Sequence, residues 1–177
     1  MNALATDPLA NPRLLIEHVY GYVAYRMGDG PEAEDVTSEV FERALRYRTS
    51  YDPAKGRPLS WLLGIAARCI QHHGASISSD HEVPDLADDF DLESDAIRRI
   101  SVTTMVSKLD DRDRELVALR YGADLTARQV GEILGMKTNA VQVALHRALE
   151  RIRRDVTRDG GERRPHEHRL QTSSGLS

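Results

Sequence analysis

The sequence predicts an all-α chain: two small helical domains joined by a flexible acidic linker, the second of them carrying a helix-turn-helix. Three observations lead there. Apolar residues recur at intervals of three and four through most of the 177 residues, and no stretch of useful length alternates with the two-residue period of a strand. One interior stretch, "GASISSDHEVPDLADDFDLESD", is crowded with Gly, Ser and acids and poor in apolar residues, the composition of a self-repelling linker. Charge, finally, is unevenly spread behind the net −4. Residues 1–73 carry 8 basic and 9 acidic side chains, 74–101 carry 2 and 8, 102–154 carry 10 and 7, and 155–177 carry 4 of each. The acidity is therefore concentrated in the linker, and the C-terminal domain is locally basic. The expected divisions are 12–73, 74–94, 95–154 and a disordered tail at 155–177 that is polar and Gly/Ser-rich.

The first helix is read from "PRLLIEHVYGYVAYRM", where Leu15, Val19, Tyr22 or Val23, and Tyr25 or Arg26 form one stripe. The second opens after turn glycines with Pro31 at its first position, and repeats apolar residues at Val36, Val40, Phe41 and Leu45. "YDPAKGRPLS" is a loop, marked by Asp-Pro, Lys-Gly and Arg-Pro. Ser60 is the expected N-cap of the third helix, "WLLGIAARCIQHH", in which Cys69 sits among Ile65, Ala66 and Ile70 as a small core residue. In the linker, Leu86, Phe90 and Leu92 offer an alternative reading as a short docking segment. Helices return in "DAIRRISVTTMVSKL" and "DDRDRELVALRYG", the latter with Asp110 or Asp111 as cap and Gly122 as terminator. "TARQVGEIL", capped by Thr126, turns at Gly135 into a final long helix.

Several function classes are excluded. Charged residues at 29% leave no room for a membrane span, so no membrane insertion is expected. The N-terminal residues lack a basic start followed by an apolar run, so no signal peptide is expected. A single cysteine excludes an internal disulfide and fits a reducing cytoplasm. No HExxH, CxxC, P-loop or nucleophile elbow is present, which leaves no cofactor, metal or catalytic residue to name. The one cluster open to a metallohydrolase reading is His72, His73 and His81 with Asp80 or Glu82. Adjacent His72 and His73 point to different helix faces, so that reading is poor.

"TARQVGEILGMKTNAVQVALHRA" has the form of a helix-turn-helix. Val130, Ile133 and Leu134 are placed to pack on Val141, Leu145 and Ala148, which leaves Asn139, Gln142, Val143 and His146 facing outward. Asn and Gln make bidentate contacts to adenine in the major groove, and valine meets a thymine methyl. Lys137, Arg147, Arg151, Arg153 and Arg154 surround that face as candidate phosphate contacts. Asn139 and Thr138 also suit a bland role as helix-start residues.

The N-terminal domain adds two features. Asp35, Glu39 and Glu42 lie at i, i+4 and i+7, an acidic ridge opposite the Val36/Val40 stripe. Such ridges commonly do no more than solvate a helix. The loop "YRTSYDPAKGRPLSW" interleaves Tyr47, Tyr51 and Trp61 with Arg46, Arg48, Lys55 and Arg57, a mixture suited to unstacked bases and their backbone.

Taken together these residues resemble an extracytoplasmic-function (ECF) sigma factor, a promoter-specificity subunit of bacterial RNA polymerase. The resemblance covers about residues 12–154, in two blocks and in the family's order. "EAEDVTSEVFERAL" is similar to the core-binding helix, "YDPAKGRPLSWLLGIAARC" to the minus-10 segment, and "LDDRDRELVALRYGADLTARQVGEILGMKTNAVQVALHRALERIR" to the minus-35 reader. It implies docking of Asp35, Glu39 and Glu42 on the beta-prime clamp, with the C-terminal domain on the beta flap. It implies contacts to the melted non-template strand from Arg48, Tyr51, Lys55, Arg57, Trp61, Arg68 and Gln71. Duplex at the minus-35 element falls to Lys137, Thr138, Asn139, Gln142, Val143, His146, Arg147 and Arg151. An anti-sigma factor is the implied regulator. The chain departs from the family pattern at Ser38, where Gln is frequent, and in "QHHGAS", where the family runs Asp-x-x-Arg-Arg. It departs again at Lys137, where a Ser N-cap is usual, and at Ala144, a frequent Arg. A stand-alone helix-turn-helix regulator is the competing expectation.

Overall fold

The computed structural model describes residues 7–77, 102 and 104–161, and the expectations for the linker beyond Ile77, including its docking alternative, lie outside them. Among the described residues there are helices and turns and no strand.

Helix α1 runs Pro12–Met27, with proline in the first turn where its missing N–H is not needed, and stops at Gly28, whose φ of 105° only glycine adopts readily. It buries Val19, Tyr22, Val23 and Ala24. Helix α2, Pro31–Tyr47, carries Glu32 and Glu34 in its first turn, where they complement the helix dipole. Its inward residues are Ala33, Val36, Thr37, Val40 and Ala44. The Thr37 hydroxyl donates to the Ala33 carbonyl at 2.7 Å, which satisfies it inside the core. Leu45 does not join this stripe; it is 57% exposed. Nine residues from Val36 is two and a half turns, so Leu45 faces away and Ala44 takes the inward place.

Helix α3, Pro58–Ile77, begins two residues before the expected cap at Ser60. The Trp61 amide donates to the Arg57 carbonyl at 3.1 Å, so the chain is already helical where Ser60 was expected to cap it. The helix also continues beyond His73. Leu62, Leu63, Ile65, Ala66 and Cys69 face the α1–α2 pair, and fully burying a leucine such as Leu62 stabilises by about 1.5–3 kcal/mol.

The C-terminal lobe opens with a helical stretch at 104–107, whose Val106 is buried. Asp110 is the N-cap of α4, Asp111–Val117, accepting from the Asp113 amide at 2.9 Å. Arg114 closes the preceding turn by donating to the Ser107 and Leu109 carbonyls at 2.8 Å each. Past Val117 the chain widens into a π turn, Ala118–Gly122, which the sequence pattern did not indicate. Thr126 caps α5, Ala127–Leu134, through a capping box with Gln129. Gly135, at φ 66°, makes the left-handed turn into α6, Thr138–Gly161. The tail expected to be disordered from 155 is thus helical for seven further residues, since nothing in "DVTRDGG" before its glycines stops a helix already propagating.

The two lobes touch. Helix α1 lies along the π turn and reaches the start of α4, so buried residues of both lobes form one continuous apolar cluster.

Candidate nucleic-acid interface

Two surfaces collect the residues that sequence reasoning singled out. On the C-terminal lobe, α6 presents Thr138, Asn139, Gln142, Val143, His146 and Arg147 to solvent, while Val141, Leu145 and Ala148 on its other side are buried against Val130. The spacing of 139, 142, 143 and 146 keeps these four on one face. Val143 is 43% exposed, an apolar group held out in a polar row. A shallow groove beside this face is lined by Lys137, Asn139, Val143 and Arg147, with Arg112 across it.

The turn that aims α6 depends on a glycine the sequence pattern did not mark. The Met136 amide donates to the Gly131 carbonyl at 2.9 Å, and a Cβ on Gly131 would sit 2.5 Å from the Met136 carbonyl oxygen. Gly131 interrupts α5 at a position any helix former would otherwise fill; that interruption was the available signal.

Arg151 lines the same groove and is also paired within the lobe. Its guanidinium pairs with Asp110 at 3.1 Å and with Asp113, which is only 8% exposed. The Asp113 amide hydrogen bond, aided by Arg151, holds the Asp110 carboxyl below the usual carboxylate range. Arg151 therefore ties the C-terminal half of α6 to the first turn of α4. Arg153 pairs with Glu150 at 2.6 Å, and Arg154 donates to the Glu150 carbonyl. Lys137 and Arg147 are exposed cations flanking the outward face.

The second surface is the loop between α2 and α3. After the 3-10 turn Arg48–Ser50, the Tyr51 hydroxyl donates to the Gly56 carbonyl at 2.9 Å. The Asp52 carboxylate accepts from the Ala54 amide at 3.0 Å, which closes a tight turn. The Tyr51 and Trp61 rings meet in a tilted pair with centroids 5.6 Å apart. Trp61 is half-buried against the core, so it acts as the post on which Tyr51 leans. Arg48, Lys55 and Arg57 are exposed around this frame, and Lys55 lies 3.8 Å from Asp52. Gly64, Arg68 and Gln71 continue outward along one exposed stripe of α3.

On α2, Asp35 and Glu42 are exposed. Glu39 is engaged instead, 2.6 Å from Arg43 and 3.4 Å from His73 Nε2 on α3. Ser38 donates to the Glu34 carbonyl at 2.9 Å.

A third group was missed by sequence reasoning. The Tyr22 hydroxyl meets both carboxylate oxygens of Glu115 at 2.9 Å, across 93 residues of sequence. Arg26 contacts Glu115 at 3.2 Å and donates to the Asp111 carbonyl at 3.1 Å. Burial, with the neighbouring Glu115, pushes the Tyr22 phenol well up from its ordinary value. No local pattern signals a pair so far apart in sequence.

Among the described residues no group of three or more His, Cys, Asp or Glu side chains is placed to hold a metal ion, and no helix is long and apolar enough to cross a membrane.

Residues 13–76 match the family described as Sigma-70 region 2, and residues 105–154 match Sigma-70, region 4. The two matched segments contain the loop surface and the helix-turn-helix respectively. Among curated relatives, the ECF RNA polymerase sigma factor SigD of Mycobacterium tuberculosis is 32% identical over 156 residues, 80% of this chain and 73% of its own. The chain belongs to the ECF family of RNA polymerase sigma factors. The ECF sigma factor SigK of Mycobacterium ulcerans is 29% identical over 76% of this chain and 78% of its own. With BldN of Streptomyces coelicolor the identity is 30% over 77% of this chain, and this sigma factor spans 55% of BldN's length. The fold is also that of CnrH, solved in complex with the cytosolic domain of CnrY: TM-score 0.57 at 18% identity, over 88% of this chain and 96% of that one.

Proposed function

We propose that this sigma factor docks on core RNA polymerase, reads a minus-35 element as duplex and a minus-10 element as melted strand, and so directs initiation at a specific set of promoters. The observation that carries this is the pairing, in one chain, of a rigid polar helix face with an aromatic loop rimmed by cations. The first suits the major groove, where Gln142 and Asn139 offer bidentate contacts and Val143 meets a methyl group. The second suits a base removed from its stack, with Tyr51 as the stacking platform and Lys55 and Arg57 for phosphate.

Asp35 and Glu42 are the acidic residues available to basic surface on the beta-prime clamp. Glu39 contributes by holding α2 to α3 through His73. The C-terminal lobe meets the beta flap. The chain carries out no catalysis of its own and works in the cytoplasm, where polymerase is. An anti-sigma partner is supported by CnrH, which was solved with the cytosolic domain of CnrY.

Run-off transcription from a randomised promoter library, with core polymerase present and this protein added or omitted, tests the proposal. Protein-dependent transcripts sharing two spaced elements are expected. The double variant Asp35→Lys, Glu42→Lys should weaken core binding about tenfold or more, a change of about 1.4 kcal/mol. Absence of transcripts, with tight core-independent binding to one duplex, would instead make the chain a stand-alone regulator.

A further inference from the structure

The acidic ridge of α2 is not uniform. Asp35 and Glu42 are exposed, whereas Glu39 between them has both carboxylate oxygens engaged. Its Oε1 lies 2.6 Å from Nη2 of Arg43, one turn on in the same helix, and its Oε2 lies 3.4 Å from Nε2 of His73 on α3. The two contacts differ in kind. A guanidinium is charged at any working pH, whereas imidazole is the side chain that ordinarily gains or loses its charge between about pH 5 and 8. One counter-charge to Glu39 is therefore permanent, and the other depends on a proton.

His73 is placed to act on this ridge. It is partly buried, while its neighbour His72 is exposed. Glu39 and, beside it, Arg43 are the charged groups of α2 at this point, and Cys69 lies one turn back on the same helix as His73. Burial raises the Cys69 thiol, Glu39 adds to the effect and Arg43 opposes it, so these groups share one α2–α3 seam. Among the described residues α1, the other helix packed on α3, adds no ion pair to His73. His73 also lies in "QHHGAS", a segment where the chain departs from the family pattern.

We propose that His73 is a positioning residue for polymerase docking, operated by a proton. With His73 neutral, Glu39 is paired on one side only and adds its carboxylate to those of Asp35 and Glu42. With His73 protonated, Glu39 is paired on both sides and is drawn toward α3, so docking weakens as pH falls through the imidazole range. The inference rests on the reading of the ridge as the polymerase-docking surface. The pair is partly exposed, so its effect on Kd is about threefold, the scale of one surface ion pair.

The test titrates the fluorescently labelled full chain with core polymerase at about pH 8 and about pH 6, at one ionic strength. The ratio of the two Kd values is the reading, because titration of the polymerase itself is common to every variant. Circular dichroism at both pH values verifies the fold of each. His73→Gln, which hydrogen-bonds but carries no charge, should give a ratio about threefold smaller than the parent. His73→Lys, charged throughout, should bind about threefold more weakly than the parent at the higher pH and show the same small ratio. His72→Gln should keep the parent ratio. In a Glu39→Gln background the His73→Gln change should shift the ratio by much less, because the carboxylate it acts through is gone. A parent ratio in His73→Gln overturns the proposal, and so does a shift undiminished by Glu39→Gln. The double variant Asp35→Lys, Glu42→Lys keeps the two readings apart. Parent core affinity in that variant removes the docking surface and the proton effect with it, whereas impaired docking there, beside a parent ratio in His73→Gln, removes the proton effect alone.

Discussion

The outward face of α6 and the loop 48–57 are set up differently. The helix face is a row of exposed side chains on a long rigid element, anchored by Val141, Leu145 and Ala148 and by the Arg151 pairs to α4. The loop is held by its own short-range bonds, Tyr51 to Gly56 and Asp52 to Ala54, and leans on one half-buried tryptophan. The helix face stands open, whereas the loop faces the opposite lobe across a cleft. The difference suits the targets proposed for the two surfaces. A duplex presents base edges at fixed spacing and rewards a rigid comb, whereas a melted strand must be captured base by base.

The comparison breaks most severely at Gly131. Gly131→Val puts a branched side chain against the Met136 carbonyl and should cost the C-terminal lobe about 3 kcal/mol, seen as an earlier phase in thermal melting by circular dichroism. Helix content of the N-terminal lobe should persist through that phase; simultaneous loss of both would show the lobes to be one cooperative unit. Next come the two readers themselves. Gln142→Ala should reduce discrimination at one upstream position by about 1–3 kcal/mol and spare open-complex formation. Tyr51→Ala should do the reverse, lowering open-complex yield by a stacking contribution of about 1–3 kcal/mol. Identical phenotypes would erase the distinction between them.

A subtler contrast lies within α6. Arg147→Ala should lower the salt dependence of duplex binding by about one phosphate contact. Arg151→Ala should leave that slope unchanged and lower lobe stability by about 1 kcal/mol or more, because Asp113 loses its partner. Smallest is an acid effect at Asp110. Its carboxyl titrates below the unfolded value, so its contribution to stability is present above about pH 4 and fades as pH falls through the folded value. Asp110→Asn should flatten that part of the stability profile between pH 5 and 3, on the scale of an exposed group.

Much of this could be read from the chain because the signals are local. Thr126, Gly135, and the repeat of Val141, Leu145 and Ala148 each act within a turn or two, and each marks its element in the structure. The readings that failed or were missed depend on direction or distance. Leu45 looked like core until its angle to Val36 was counted. The tie from Arg151 to Asp113, 38 residues away, is invisible to helical periodicity. Gly21 and Gly122 carry no local motif, since the requirement for a bare Cα arises only when the lobes meet. The assignment of individual residues to polymerase, melted strand or duplex was legible mainly as a resemblance, and the experiments above are what assign them.

Cys69 carries a consequence outside DNA recognition. It is the chain's single thiol, sealed within the α1–α3 core, and burial pushes its pKa up. A thiol reagent can reach it only when that core opens. The rate of labelling under native conditions is then a stopwatch for local unfolding, read at one atom without any introduced probe. Polymerase bound to the lobe should slow that clock.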